Sequence, residues 1–152
     1  MSLVALDSSV IAEYANLSGR LHAQADATFT AINEGKLHAV LAPPTISELY
    51  YILARLYPAS GDVEPQKKAE AFCKYIYFHP SIEVADLTFP TLIEAAKIKS
   101  EYKLALTDCY VLAVAKLRRC RAIFRHREEE MKKLSRRLLE KFEIVFLEDY
   151  GR

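Results

Sequence analysis

Residues 3–11 read LVALDSSVI, a short apolar run that ends on Asp7 and resumes after two serines. The run predicts a buried β-strand over residues 2–6, because it is brief, continuous and apolar. Asp7 then has two interpretations. A carboxylate at this place, or Ser8 or Ser9 beside it, caps the N-terminus of a following helix. Alternatively, Asp7 holds a cation where the strand ends, and the remaining sequence has to decide between the two.

Similar short apolar segments recur along the chain and alternate with segments of helical periodicity. Further strands are predicted at 38–42, 82–86, 121–124 and 143–147, and helices at 10–17, 21–32, 46–57, 66–78, 90–102, 108–119 and 127–142. Strands that alternate with helices pair in parallel and are covered on both faces. The sequence therefore predicts a single domain over residues 1–152, a three-layer α/β/α sandwich with a mainly parallel sheet of about five strands.

The composition narrows the class of protein. Of 152 residues, 51% are hydrophobic and 27% are charged, as in ordinary globular domains. No apolar run reaches the roughly 18 residues that span a bilayer, and MSLVALD lacks the features of a signal peptide. We therefore expect a cytoplasmic protein without a membrane partner. Three cysteines without a CxxC pair favour neither a disulfide framework nor a structural zinc site.

Acidic side chains stand near the predicted carboxyl ends of the strands. Asp7 ends the first strand, Glu48 lies in the first turns of the helix after the second, and Asp108 begins the apolar helix LTDCYVLAVAKL. Glu128 follows the fourth strand. Ligands of open parallel sheets bind beyond this edge, where converging carboxylates repel one another unless cations lie between them. Oxygen ligands without His or Cys suit Mg²⁺ or Mn²⁺.

Each of these acids also has a purely structural interpretation. Asp7 and Asp108 can stabilise helix N-termini. Glu48 can be a solvated helix residue, and Glu128 can pair with Lys132 four residues later. Taken singly, none of them identifies a site, and the set is more informative than its members.

In this order, the segments LDSSV, TISELYY, LTDCYVLAVAK and AIFRHREEE resemble the motifs of PIN-domain proteins of the VapC-like toxin ribonuclease kind. The resemblance covers nearly the whole chain. It implies an α/β/α fold and hydrolysis of RNA phosphodiester bonds with Mg²⁺ or Mn²⁺. By the same resemblance, Asp7, Glu48 and Asp108 are the expected catalytic and metal-binding acids. Ser9 is placed to orient a ligand or a water, although a helix cap is its simpler role.

The fourth acidic position departs from the family pattern, which usually has Thr-x-Asp just after strand four. This chain reads FRHRE there, so Arg127 stands where the Asp is expected. Glu128 is the nearest acid, and we take it as the fourth catalytic residue. The alternatives are a site with three acids and one metal, or a catalytically weak protein.

Basic residues cluster around the fourth strand. Residues 116–141 contain 11 Lys and Arg against 4 Glu, a net charge of +7, whereas the remainder carries −6. Arg125 and Arg127 flank the predicted site and are expected to bind RNA phosphates, with pairing to the adjacent glutamates as the alternative. The tyrosines of residues 46–57 and 69–78 are assigned to the core or to an interface.

The resemblance also implies partners, namely RNA, a second copy of the chain in a homodimer and a small inhibitory antitoxin protein. Two alternatives remain open: an RNA-processing PIN nuclease outside a toxin–antitoxin pair, and a weak or inactive PIN module that binds RNA or protein. Two other α/β classes fit less well. A receiver domain lacks its acidic pair after the first strand, and a haloacid-dehalogenase-type phosphatase requires an Asp where Ser9 stands.

Overall fold

A computed structural model describes residues 2–150 and has a sheet of five parallel strands between two layers of helices. The strands are β1 (Ser2–Leu6), β2 (Leu37–Leu41), β3 (Ile82–Val84), β4 (Arg121–Phe124) and β5 (Ile144–Phe146). The helices are α1 (Ser8–Ala15), α2 (His22–Asn33), α3 (Pro43–Ala59), α4 (Pro65–Tyr77), α5 (Phe89–Tyr102), α6 (Leu106–Leu117) and α7 (Glu129–Lys141), and a 3₁₀ turn (Leu147–Asp149) follows β5. The predicted α/β/α sandwich with a five-stranded parallel sheet is confirmed.

Both faces of the central strand β1 are covered. Successive side chains of a strand point to opposite faces. Val4 and Leu6 accordingly pack in the core formed with α1 to α4, and Ala5 packs in the core formed with α5 to α7. This double burial explains why the strand reads as a continuous apolar run instead of alternating with polar residues.

The strand order β3-β2-β1-β4-β5 reverses between β1 and β4. The chain builds β1, β2 and β3 outward on one side and then crosses over to place β4 and β5 on the other. At such a reversal a crevice opens beyond the carboxyl ends of the two neighbouring strands. Asp7 follows β1, and its backbone N–H donates to the carbonyl oxygen of Ile123 in β4 at 3.0 Å. The fold therefore places Asp7 at the crevice.

The predicted elements are present, with shifted ends. Helix α1 begins at Ser8 because Asp7 is its N-cap, accepting a hydrogen bond from the backbone N–H of Ser9. Of the caps that the sequence leaves open, the structure therefore has Asp7 and not Ser8 or Ser9. Helix α7 begins at Glu129 instead of residue 127. Within residues 2–150, no helix is both long enough and apolar enough to cross a membrane.

Candidate active site

A cavity of about 480 Å³ opens at the crevice between β1 and β4. We call it the carboxylate cavity, because five acids line it: Asp7, Glu48, Asp108, Glu128 and Glu130. They come from the β1–α1 junction and from the N-terminal turns of α3, α6 and α7. The acids that the sequence selects are thus brought together by the fold, and their catalytic and metal-binding roles stay predictions.

The two carboxylate oxygens of Asp7 have different surroundings. Oδ2 accepts a hydrogen bond from the backbone N–H of Ser9 at 3.1 Å and another from the Ser9 hydroxyl. Oδ1 is buried without a hydrogen-bond partner among residues 2–150, and Asp7 as a whole is only 5% exposed. A buried polar atom without a partner is costly. Asp7 therefore caps α1 with one oxygen, while the other oxygen has no partner within residues 2–150.

Glu48 is held by hydroxyl groups from two helices. The Ser8 hydroxyl donates to Oε1, and the Thr107 hydroxyl donates to Oε2 at 2.8 Å. Ser8 belongs to α1 and Thr107 to α6, so the Glu48 side chain joins two elements on opposite faces of the sheet. The sequence pattern does not reveal these donors, although Thr107 stands directly before Asp108.

Burial and mutual repulsion disturb the ionisation of the acids. Asp108 lies in the first turn of α6 and is 9% exposed. Its burial, reinforced by the negative charges of Asp7, Glu48, Glu128 and Glu130, raises its pKa to about 8. Burial also raises the pKa of Asp7 to about 6, although the hydrogen bonds from Ser9 work against the shift. A bound divalent cation relieves this kind of repulsion.

The donor set of the carboxylate cavity fits a hard divalent cation. Among the described residues 2–150, its wall offers carboxylate oxygens and contains no His or Cys, a combination that suits Mg²⁺ or Mn²⁺. Over residues 2–150, no three His, Cys, Asp or Glu side chains lie grouped as a ready coordination shell. The carboxylates of Asp7 and Glu48 instead turn toward neighbouring hydroxyl groups. The unpartnered Oδ1 of Asp7, with Glu48 and Asp108, is the set that would hold the cation.

Two glutamates at the start of α7, Glu128 and Glu130, line the carboxylate cavity and are the candidates for the predicted fourth acid. Glu128 is the N-cap residue of α7, and its Oε1 lies 3.6 Å from Nε2 of His126. Glu130 lines the carboxylate cavity as well. The sequence predicts Glu128 and gives no sign of Glu130, because a run of three glutamates does not show which members face inward. Both remain candidates.

Arg127 lies outside the wall of the carboxylate cavity. Its guanidinium donates to both carboxylate oxygens of Asp149, at 2.9 and 3.0 Å, and to Glu148 at 3.0 Å. It also lies over the ring of Phe146, 4.1 Å from the centroid. These contacts attach the C-terminal segment to the β4–α7 connection. The acidic partners of Arg127 are therefore distant in sequence and are not the adjacent glutamates; its binding to RNA stays a prediction.

Arg125 forms one edge of the carboxylate cavity. Its backbone N–H donates to the Ser9 hydroxyl oxygen at 3.2 Å, and its Nη1 donates to Oε2 of Glu13 at 3.1 Å. Glu13 is only 3% exposed, and its Oε1 accepts from the backbone N–H of Leu21 at 2.8 Å. An ion pair with the buried Glu13 carboxylate thus fixes the Arg125 guanidinium, although 40% of the Arg125 side chain stays exposed. Nothing in the sequence marks Glu13, which sits midway along a helix.

The hydroxyl of Thr107 is predicted to position Glu48 for metal binding. We expect Thr107→Val to weaken Mn²⁺ binding by about tenfold or more, the usual effect of losing a hydrogen bond to a metal ligand. Thr107→Ser keeps the donor and is expected to bind Mn²⁺ like the wild type. Isothermal titration calorimetry measures both. Equal affinities for Thr107→Val and wild type would show that Thr107 has no positioning role.

The raised pKa values predict how the metal-free protein responds to pH. The unfolded carboxyl groups titrate near pH 4, whereas folded Asp7 and Asp108 have pKa values of about 6 and about 8. Between about pH 4 and about pH 8, the folded state therefore binds more protons than the unfolded state. The free energy of unfolding consequently decreases as pH rises through this range. The shift of Asp7 alone corresponds to about 3 kcal/mol.

Urea unfolding in EDTA between about pH 5 and about pH 8 measures this dependence. The double variant Asp7→Asn/Asp108→Asn is the control, and we expect it to lose most of the decrease. Addition of Mn²⁺ at the upper pH is expected to restore the stability of the wild type. A wild type whose stability in EDTA stays constant or increases over this range would contradict the electrostatic description of the cavity.

The family described as PIN domain matches residues 4–144 of the chain. No curated protein matches it in sequence.

Solved structures resemble the fold over most of its length. VapC20 of Mycobacterium tuberculosis, described as a toxin that cleaves the sarcin–ricin loop, has a TM-score of 0.63 at 14% identity, over 78% of this chain and 86% of that one. VapBC2 from Rickettsia felis, bound to a DNA fragment from its promoter, has a TM-score of 0.65 at 9% identity, over 95% of this chain and 98% of that one. FitAcB from Neisseria gonorrhoeae has a TM-score of 0.58 at 22% identity, over 81% of this chain and 87% of that one. At these identities the similarity establishes the fold.

Proposed function

This chain belongs to the PIN domain family, and from that premise we propose that it is a metal-dependent endoribonuclease and the toxin of a toxin–antitoxin pair. The observation that carries the proposal is the gathering of five carboxylates in one cavity, where Oδ1 of Asp7 is buried without a partner. Proteins of the same fold support it. One is described as a toxin that cleaves the sarcin–ricin loop and another as a toxin–antitoxin complex from Klebsiella pneumoniae, with a TM-score of 0.60 at 15% identity.

The residues of the carboxylate cavity have separate roles in this proposal. Asp7, Glu48 and Asp108 bind the Mg²⁺ or Mn²⁺ ion. Ser9 fixes the Asp7 carboxylate through Oδ2, and Thr107 fixes Glu48 through Oε2. When bound, the cation supplies Lewis acidity that lowers the pKa of water and offsets negative charge on the phosphate.

The remaining acids act at the entrance. Glu128 or Glu130, at the start of α7, is placed to accept a proton from an attacking water or to supply a further oxygen ligand. Arg125, a basic residue in the cavity wall, attracts the phosphodiester to an otherwise acidic site. Hydrolysis then adds water across a P–O bond of the RNA backbone, leaving phosphate on one fragment and hydroxyl on the other.

Cleavage of RNA by the purified protein tests the proposed activity. Transfer, ribosomal and messenger RNA are incubated with Mn²⁺, with Mg²⁺ or with EDTA, and the products are separated by electrophoresis. We expect discrete cleavage with at least one cation and none with EDTA. If no RNA is cut under any condition, the nuclease proposal fails, and a binding module in which Arg127 replaces the fourth acid becomes the better account.

The proposal includes a homodimer and a small antitoxin as partners, in the cytoplasm and without a membrane. Aromatic residues of the α3–α4 pair support an interface: Tyr51, Tyr77 and Phe78 are 60%, 51% and 71% exposed. Their exposure excludes the core placement that the sequence left open for them. Large exposed apolar groups mark interaction surfaces. Light scattering after size exclusion measures the dimer, and Phe78→Ala is expected to weaken it.

A further inference from the structure

A second cavity, of about 450 Å³, adjoins the carboxylate cavity and shares Arg125 with it. We call it the basic cavity. It is open to solvent and is bordered by the α1–α2 connection, the β4–α7 connection and Lys132 of α7, with Glu13 and Glu148 also in its wall. The roles proposed for the acids of the carboxylate cavity leave the basic cavity without a function.

The two neighbouring cavities have opposite charge. The basic cavity contains four guanidinium or ammonium groups, from Arg20, Arg125, Arg127 and Lys132, against the carboxylates of Glu13 and Glu148. Within residues 2–150, the wall of the carboxylate cavity has five acids and, as its basic residue, Arg125. Because Asp149 and Glu129 also pair with two of the four cations, the basic cavity is only weakly positive, and the electrostatic potential becomes less negative from the carboxylate cavity across Arg125.

Within residues 2–150, two of the four cations, Arg20 and Lys132, have no buried ionic partner and no more than one exposed ionic partner. Arg127 is committed to Glu148 and Asp149, and Arg125 to the buried Glu13. Over the described residues 2–150, Arg20 makes no ion pair or side-chain hydrogen bond.

Among the residues that the structure describes, Lys132 has one ionic partner, Glu129, at 3.0 Å. Both side chains of this pair are more than half exposed to solvent. Ion pairs of this kind contribute little free energy. A phosphate group can therefore displace Glu129 from Lys132 at small cost.

We propose that the basic cavity binds the RNA backbone phosphate next to the phosphodiester in the carboxylate cavity, with Arg20 and Lys132 as its ligands. This inference rests on the proposed nuclease function. A polyanion that enters the carboxylate cavity brings its next phosphate close to the same acids, which repel it. The adjoining cations offset that repulsion. Arg125, fixed by Glu13, separates the two phosphates.

Binding of a labelled single-stranded RNA of about 12 nucleotides, a length within the usual range of such sites, tests the proposal. Fluorescence anisotropy in EDTA measures the Kd without cleavage. We expect Arg20→Gln and Lys132→Gln each to raise the Kd about fivefold. We also expect each variant to make the slope of log K against log salt concentration shallower by about one unit, the amount for one lost phosphate contact. Arg20→Lys keeps the charge and is expected to retain most of the affinity.

Lys133→Gln is the matched control. Lys133 is the next residue of α7, does not line the basic cavity and makes no ion pair within residues 2–150. We expect its Kd to equal that of the wild type. Mn²⁺ binding, followed by calorimetry, is expected to be unchanged in all these variants.

The outcomes separate this inference from the proposed function. If the wild type cleaves RNA but Arg20→Gln and Lys132→Gln leave Kd, salt dependence and KM unchanged, the basic cavity does not bind the substrate. If both variants weaken RNA binding while the wild type cleaves no RNA, the phosphate site stands and the nuclease proposal fails. A rise in KM with kcat preserved, together with the rise in Kd, is the result that the inference predicts.

Discussion

Asp108→Asn is expected to remove RNA cleavage and, at the same time, to stabilise the metal-free protein. Loss of a group that only supports a metal ligand already costs about 10- to 100-fold, so loss of a proposed ligand should lower kcat/KM by more than about a hundredfold. The same change removes a buried negative charge that four other acids repel. At about pH 8 in EDTA we expect the free energy of unfolding to increase by about 2 kcal/mol or more.

The combination of lost activity and increased stability is the diagnostic result. Urea unfolding and RNA cleavage are measured on the same preparations. Asp86→Asn serves as the control, because Asp86 is exposed and lies outside the carboxylate cavity; it is expected to change neither property. A variant at Asp108 that cleaves RNA normally, or that is destabilised in EDTA, would contradict the role assigned to this residue.

Substitutions at Asp7 are expected to separate its two roles. Asn has nearly the same shape and is also a good helix cap, so Asp7→Asn removes the charge and preserves the start of α1. Ala removes both. We expect both variants to lose cleavage by more than about a hundredfold. In EDTA, Asp7→Ala should be less stable than Asp7→Asn by about 1 kcal/mol, the usual contribution of an N-cap.

The comparison between the two variants decides whether the carboxylate that ends the run LVALD serves as a helix cap, as part of the site, or as both. Cleavage is followed with Mn²⁺, and stability by urea unfolding in EDTA. If Asp7→Asn cleaves RNA as fast as the wild type, Asp7 is only a helix cap. If both variants are inactive and equally stable, the cap contributes nothing and the carboxylate serves the site alone.

The fold class could be predicted from the sequence because its signal is local. Short apolar runs and helical periodicity are read within windows of a few residues, and their alternation indicates a parallel sheet covered on both sides. The strand order is not local information. Nothing in residues 121–124 shows that this strand lies beside residues 2–6, yet this pairing creates the crevice that contains Asp7.

The residues of the candidate site could be predicted only where their signal is local. Asp7 and Asp108 are visible as carboxylates beside apolar segments. The hydroxyl group that holds Glu48 comes from Thr107, 59 positions away, and the acid that fixes Arg125 is Glu13, 112 positions away. Such pairs depend on tertiary packing and leave no periodic pattern.

The direction of the Arg127 side chain could not be predicted from the sequence either. Its position in the motif FRHRE suggested a residue beside the acids of the site. In the structure it pairs with Glu148 and Asp149, 21 and 22 positions later. A motif locates a residue on its element, but the direction of a long side chain depends on partners that fold onto it afterwards.

The most direct test of the account is titration of the metal-free protein with Mn²⁺ by calorimetry, wild type beside Asp108→Asn. It does not depend on knowing the RNA target. The account predicts saturable binding by the wild type with release of protons, because the acids with raised pKa values must ionise to bind the cation, and no comparable binding by Asp108→Asn. Absence of Mn²⁺ binding by the wild type, or equal binding by both proteins, would contradict a metal site built on Asp7, Glu48 and Asp108.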